Sequence, residues 1–406
     1  MNYKLKVLYL GFAFPPGLRT LHPGINIAGH GLETQMIREL RAHCEIRSVG
    51  VLPVEAPPLP GADPASGVAH DLLLLDKAPE LFHWYRSLIQ LKRQYHRWCA
   101  EGWMPDAVLV YNLSPIYNNF LRWLKKRKPH PKLILLLLDS AQLGQPLSPT
   151  RRFRQRFKPM IIPVEEMIGD FDGCIGWSRS AEKYFTPRNI PFFWMPGGVT
   201  PHRAALARKK AGDGAGDDPI RFAYFGALAE HAGIKALIQA FQQTSIKASL
   251  HICGSGRMAP EIAAAAGRDS RLKFHGLLTQ DECLDAAQDW DVLVNPRPAT
   301  HGNENNFPSK VFEYALCGRA ILTTRMAGVE VVLGPEASYL EPQNLVAGLT
   351  RELTALSVIP RSELSRRGAM LRERVINHYS WSRQAAAMAA FVGQISVPPA
   401  AQAARC

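Results

Sequence analysis

The sequence predicts an α/β chain made of two doubly wound, parallel-sheet halves. Three observations carry this expectation. The chain has 406 residues, more than a single hydrophobic core usually organises. A β-rich apolar run, a glycine-bearing turn and a helical pattern follow one another twice, once from Lys6 and again from Ile220. Between the halves, Thr200 to Pro219 contains RKKAGDGAGDDP, a polar, glycine-rich stretch that reads as a linker.

In chain order, Lys6 to Phe12 (KVLYLGF) reads as a first buried strand. A loop follows with Pro15-Pro16, Pro23-Gly24 and Gly29-His30-Gly31, after which Leu32, Met36, Ile37 and Leu40 recur at helical spacing. A dinucleotide fingerprint would require a glycine where Thr34 stands, so that cofactor is not favoured. Val49 to Val54 suits a second strand, and Pro57 to Gly67 an exposed loop. Glu80 to Trp98 reads as a helix with Trp84, Leu88, Leu91, Tyr95 and Trp98 on one arc and Arg86, Arg93 and Arg97 opposite. Such a face suits either the core or a membrane surface. Asp106 to Tyr111 and Lys132 to Leu138 read as buried strands, the latter ending at Asp139. Ligands of open α/β sheets bind beyond the carboxyl ends of strands, which makes Asp139 a catalytic candidate. An N-cap aspartate is the plainer alternative. Two basic clusters flank it, RWLKKRK from Arg122 and RRFRQRFK from Arg151.

The second half opens with a strand over Ile220 to Phe225, a turn at Gly226, and a helix marked by Leu237, Ile238 and Phe241. A further strand over Ser249 to Cys253 leads into Gly254-Ser255-Gly256. The most informative stretch is Asn303 to Thr324. It opens polar, turns at Phe307-Pro308-Ser309, and runs into a helix from about Lys310 that a glycine, Gly318, would stop. Ala320-Ile321-Leu322 then reads as a short strand. Lys310 and Glu313 stand together at the head of this helix, where a phosphate and a sugar hydroxyl could use them.

Charge and cysteine content narrow the partners. Lys and Arg number 48 against 35 Asp and Glu, a net +13. Residues 1–200 hold 25 basic against 16 acidic residues, so most of the excess lies in the first half. A basic first half suits an anionic partner: a membrane surface, a diphosphate-linked acceptor or, less well, nucleic acid, for which no motif is present. Seven cysteines lack C-x-x-C spacing, which points away from a zinc site and towards a reducing compartment. The amino-terminal apolar run is too short and too broken for a signal peptide, and no run reaches the length of a bilayer span. The expectation is a cytoplasmic protein, resting in part on the inner face of a membrane.

The stretch from Asn303 to Thr324 resembles the donor-binding signature of GT-B glycosyltransferases, especially the retaining family 4 of their sequence-based classification. Glu313 fits the second glutamate of that signature, and Ala315, Gly318 and Ile321 fit the positions after it. The first glutamate is replaced, since Asn305 stands at its place and Glu304 is one residue early; Asn306 and Pro308 replace the usual glycines. The resemblance extends to Phe171–Ile175 with Trp177-Ser178, to Phe192–Val199, to Gly254-Ser255-Gly256, to Lys273–Leu277, to Asp289–Asn295, and to Tyr379-Ser380-Trp381. An arginine and a lysine that brace the donor diphosphate in the family are replaced by Ala227 and Ala232, leaving His231, Lys235, Arg257 or Lys310 to supply the charge.

The resemblance implies two Rossmann-like domains facing across a cleft: residues 1–199 for the acceptor, a linker at 200–219, residues 220–380 for the donor nucleotide, a returning helix at 381–395 and a tail at 396–406. It implies a retaining hexosyltransferase that uses a nucleotide-diphosphate sugar, with no further cofactor and no metal. Glu313 would hold the ribose, and the backbone near Leu277 the base. Lys310, a second catalytic candidate, would meet the leaving diphosphate together with Ser309, and Asn305, Asn306 and Phe307 would line the donor site with Gly226, Gly254 and Gly256. Asp139 and the Gly29-His30-Gly31 loop would face the acceptor, a lipid-linked or polysaccharide-precursor glycan. Two other classes fit the same fold: a sugar-nucleotide epimerase, and a non-catalytic binding or scaffold protein.

Overall fold

The computed structural model describes residues 4–12, 27–51, 72–75, 80–112, 115–140, 143, 167–200, 218–326 and 328–396. They divide into two compact units. The first draws on Met1–Trp177, Ala181–Met195 and Trp381–Cys406; the second on Ser178–Ser180 and Pro196–Ser380. The basic run from Arg151, the proline-rich stretch at 57–67 and most of the glycine-rich linker lie outside the described residues.

The first unit is built on strands β1 (Leu5–Gly11), β2 (Cys44–Val51), β3 (Leu72–Leu75), β4 (Ala107–Tyr111), β5 (Lys132–Leu137), β6 (Gly173–Gly176) and β7 (Phe192–Trp194). They form one parallel sheet in the order β3-β2-β1-β4-β5-β6-β7. The direction of winding reverses between β1 and β4. The central strands read as unbroken apolar runs because both faces are covered. Val7, Tyr9, Leu109, Ile134 and Leu136 face one core, while Leu8, Leu10, Val108, Leu133 and Leu135 face the other.

Three helices cover this sheet early in the chain: α1 (Ile27–Leu40), α2 (Glu80–Ala100) and α3 (Pro115–Lys125). Gly29, His30 and Gly31 belong to the first turns of α1, which corrects the expectation of a glycine loop. N–H groups in a first helical turn have no intrahelical partner, so the chain can start a helix on residues that would weaken its middle. On α2, Leu91, Tyr95 and Trp98 are buried, while Tyr85, Arg86, Arg93 and Arg97 are exposed. Tyr95 and Trp98 thus serve the core: Tyr95 packs edge-on to Trp123, and Trp98 to Trp103. Strand β2 starts at Cys44, ahead of the expected start at Val49.

The second unit carries β8 (Ile220–Ala227), β9 (Ala248–Ser255), β10 (Leu272–Phe274), β11 (Val292–Asn295), β12 (Ala320–Thr324) and β13 (Ser338–Leu340) in the parallel order β10-β9-β8-β11-β12-β13. Helices α4 (Ile234–Gln242), α5 (Ala259–Arg268), α6 (Gln280–Ala286), α7 (Lys310–Leu316), α8 (Leu345–Leu356) and α9 (Arg361–His378) accompany them. Gly318 takes the left-handed conformation just after α7, with φ +67°, and ends that helix. Winding reverses between β8 and β11, the place where open α/β sheets bind ligands. The last helix, α10 (Trp381–Ser396), belongs to the first unit, where Phe391 stacks on Phe193 at 5.5 Å.

Candidate functional site

In the second unit, β8 and β9 end side by side with Gly226 opposite Gly254. Backbone closes Gly254 to a side chain, and the Lys310 stem crowds Gly226. A Cβ on Gly254 would collide with the carbonyl oxygen of Gly226, and a Cβ on Gly226 would lie 2.8 Å from Cε of Lys310. The two strand ends therefore leave an open floor of bare backbone. Above it is a cavity of about 350 Å³, lined by Phe225, Gly226, Ala227, Cys253, Gly254 and Ser255 from the strand ends. The segment after β10 adds Leu277 and Leu278, α6 adds Cys283, and α7 adds Lys310 and Glu313.

The wall formed by α7 carries charge. Nζ of Lys310 lies 3.2 Å from Oε2 of Glu313 and 5.5 Å from the ring centre of Phe225. One turn on, the buried Tyr314 hydroxyl bonds both the amide and the carbonyl of Phe225, each at 3.1 Å. This ties α7 to the end of β8 and fixes the height of Lys310 over the floor. The opposite wall is apolar, and Leu277 is 72 % exposed at its edge. The amide of Gly254 donates to the carbonyl of Gly276 at 2.7 Å, which holds that segment against the floor. Burial pushes the Cys253 thiol up to about 12 and raises Cys283 as well, although Lys310 opposes the latter shift. Both thiols are therefore protonated at neutral pH and poor nucleophiles.

Five of the expected donor-site residues line this cavity: Gly226, Gly254, Leu277, Lys310 and Glu313. The others do not. Gly256 packs against the Leu228 backbone. Phe307 is buried against Phe312 at 5.8 Å. Asn305 is buried, and its amide donates to the His301 carbonyl at 3.0 Å. Asn306 bonds the Asn303 carbonyl through its backbone amide. Ser309 is the residue before α7 and makes no capping bond. The polar stretch is thus a folded unit, with a helical turn at His301–Glu304 capped by Thr300. Asn303 fastens it, donating to the carbonyls of His231 and Pro298 at 2.8 and 3.0 Å.

Of the residues considered as substitutes for the missing basic pair, Lys310 lines the cavity. Arg257 pairs with Glu230 at 3.2 Å, and His231 and Lys235 are exposed away from the lining. Asp139 lies in the first unit, exposed at the carboxyl end of β5. Its amide donates to Oδ1 of Asn112 at 3.1 Å, as does the amide of Leu138 at 2.8 Å. Asn112 itself has φ +50°, a conformation that asparagine tolerates better than most residues.

Sequence reasoning passed over one buried acid. Glu33 on α1 is 1 % exposed, yet it stands with Met36, Ile37 and Leu40 in the apolar stripe of that helix. That position was a readable signal. Among the described residues, no group of three or more His, Cys, Asp or Glu is placed to hold a metal ion, and no helix is long and apolar enough to cross a membrane.

Residues 219–357 match the family of glycosyl transferases group 1. That segment contains the whole lining of the cavity. The second unit thus carries a glycosyl transferases group 1 domain, and the chain has the GT-B fold. No curated protein matches the sequence. Among solved structures, sucrose-phosphate synthase from Thermosynechococcus elongatus superposes with a TM-score of 0.66 at 15 % identity, covering 97 % of this chain and 99 % of that one. The lipopolysaccharide outer core galactosyltransferase WaaB, in its apo form, gives 0.65 at 14 % identity over 95 % and 99 %. Alr3699/HepE of Anabaena, solved in complex with UDP, gives 0.63 at 14 % identity over 96 % and 100 %. At these identities the likeness is one of fold, which by itself does not carry an acceptor or a linkage.

Proposed function

We propose that this chain of GT-B fold is a retaining glycosyltransferase that moves a hexose from a nucleotide-diphosphate sugar to a glycan or lipid-linked acceptor of polysaccharide assembly. The observation that supports it best is the cavity in the second unit, where bare strand ends at Gly226 and Gly254 meet Lys310 and Glu313. A diphosphate can approach backbone only where side chains are missing. The ammonium of Lys310 then lies where negative charge grows on the leaving diphosphate, and stabilising that charge lowers the barrier. The Glu313 carboxylate is an acceptor for ribose hydroxyls. Leu277 and Leu278 offer an apolar wall to a base. Retention by front-face attack requires no enzymatic nucleophile, which agrees with the protonated thiols of this site. The first unit takes the acceptor, with Asp139 at the carboxyl end of β5. Its exposed Arg93, Arg97, Arg122 and Lys126 suit an anionic lipid surface, which flotation with anionic liposomes at low salt checks.

The test of this reading is a thermal-shift panel of UDP, GDP, ADP and their sugar conjugates, with UDP first because a structural relative was solved with it. A ligand that binds the native state raises its apparent stability. A shift with one base, lost in Glu313→Ala, supports the donor site. No shift with any of them would remove the cavity as a nucleotide site.

A further inference from the structure

The first unit contains a polar cluster to which the donor reading gives no role. Oε2 of the buried Glu33 accepts hydrogen bonds from the Tyr9 hydroxyl and the Phe12 amide, both at 2.8 Å. Tyr117 on α3, also fully buried, donates its hydroxyl to the carbonyl of Gly11 at 2.7 Å. The Gly11 carbonyl and the Phe12 amide belong to one peptide unit. Two side chains from two different helices thus grip both polar groups of a single peptide, the one that leaves β1. Gly11 permits this, since a Cβ there would collide with the Glu33 carboxylate and the Tyr9 ring. Phe12 in turn packs edge-on to Tyr111 at 6.2 Å, where β4 ends. Tyr111 is raised by burial and by the nearby charges of Glu33 and Asp139. The gripped peptide therefore lies at the reversal point of the sheet, where ligands of such folds bind.

This arrangement is unfavourable for stability. A carboxyl in an apolar stripe loses its hydration, and an apolar residue of similar size would pack there at lower cost. Burial raises Glu33 to about 7, although its bonds from Phe12 and Tyr9 pull the other way. The other groups that act with it are tyrosines: Tyr9 from β1, Tyr111 from the end of β4 and Tyr117 from α3. Of the charged groups on the neighbouring β2 and α10, Arg47 pairs with Glu101 at 2.8 Å, and Glu45 and Arg383 are exposed.

We propose that Glu33 is a positioning residue of the first unit: with Tyr117 it clamps the Gly11–Phe12 peptide, so fixing the strand ends that carry Tyr111 and Asp139 towards the acceptor, and it loosens this clamp on ionising. The acceptor in that statement rests on the glycosyltransferase reading; the clamp does not. The sign follows from linkage. A group that ionises with more difficulty in the closed clamp than in water favours the hydrated, open clamp once it loses its proton. Opening therefore increases from the ordinary carboxylate range up to about 7 and levels off above it.

Hydrogen-exchange mass spectrometry on the full chain reads this directly at the peptide containing Phe12. After correction for intrinsic exchange, protection of the wild-type amide is expected to fall roughly tenfold per pH unit across that window and then to plateau. Glu33→Gln keeps the shape without the ionisation and should show protection independent of pH. A flat wild-type profile, or an equal slope in both proteins, would overturn the proposal. An infrared pH titration of the wild type alone covers the case in which the variant does not fold. A buried protonated carboxyl that persists to near neutrality supports the clamp, and its absence overturns it. Nucleotide thermal shifts on the same samples separate the two readings. If no nucleotide binds either protein, the donor assignment fails while the exchange result still decides the role of Glu33.

Discussion

Replacing Glu33 by glutamine should change the stability of the first unit in a way that depends on pH. In the folded protein this carboxyl titrates at about 7, against an ordinary value of 4.5. Between those values the folded state binds more protons than the unfolded one, so stability falls as pH rises. Below 4.5 the side chain is neutral in both states and its contribution is fully present; above about 7 it is fully lost. At about 1.4 kcal/mol per pH unit, the interval corresponds to about 3 kcal/mol. Glutamine has no proton to lose, so its own cost or gain is the same at every pH. The stability of Glu33→Gln relative to wild type should therefore rise by about 3 kcal/mol between about pH 4.5 and pH 8. Urea unfolding followed by tryptophan fluorescence is a suitable assay, because seven of the eight tryptophans lie in the first unit and only Trp290 in the second. A difference between the two proteins that stays constant with pH would refute the burial argument, whatever its size.

Three further substitutions test the second unit. Lys310→Ala should lower kcat for glycosyl transfer by about 100-fold, the usual effect of removing one donor from a developing anion, and an unchanged kcat would place that role elsewhere. Glu313→Ala should weaken nucleotide binding at least about tenfold by titration calorimetry, in line with the loss of hydrogen bonds to a charged group. Gly254→Ala places a Cβ against the Gly226 carbonyl, so the second unit should lose about 1–3 kcal/mol or more and melt earlier. A normal melting curve would show that the paired glycines are not tightly packed.

The sheets were legible because central parallel strands are covered on both faces and read as apolar runs, as AVLVY and KLILLL do. Strands that break this rule were misplaced or missed. Cys44–Val51 alternates Glu45 and Arg47 with apolar residues, and Arg47 is accommodated by lying 4.8 Å from the Trp103 ring centre. Leu72–Leu75 does read as an apolar run, but it was missed because it has only four residues and lies close to a stretch of prolines and glycines. Within the cavity, Gly226 and Gly254 could be picked out because a glycine ending a buried strand signals close approach. Leu278 and Cys283 could not, since only the return of the chain after β10 brings them to the lining. Glycine misled at Gly29 and Gly31, which suggested a loop where a helix begins. Polarity misled at Asn305, whose side chain looked available to a ligand but bonds the backbone that shapes its own loop.

The two floor glycines serve different neighbours, and this yields a sharper test than either substitution alone. Their backbones are alike, with φ +157° at Gly226 and +143° at Gly254, so an alanine at either site carries a similar conformational strain. Any difference between the two variants then comes from what the new methyl group meets. Gly254 faces backbone, which cannot move without disturbing the pairing of β8 with β9. Gly226 faces the stem of Lys310, with the Tyr224 hydroxyl at 3.0 Å from the position a Cβ would take. A lysine stem has several rotatable bonds and can step aside at little cost. Gly226→Ala should therefore lower the melting temperature less than Gly254→Ala does, while moving the ammonium off the floor. Its turnover should fall towards that of Lys310→Ala, and the double variant should be no slower than Lys310→Ala alone, because residues acting through one group are not additive. If Gly226→Ala instead melts as early as Gly254→Ala, the glycine is there for the backbone. If the double variant is slower than either single one by the product of their effects, Gly226 and Lys310 act independently. Either outcome would remove the argument that Gly226 is bare in order to seat the Lys310 stem over the strand end.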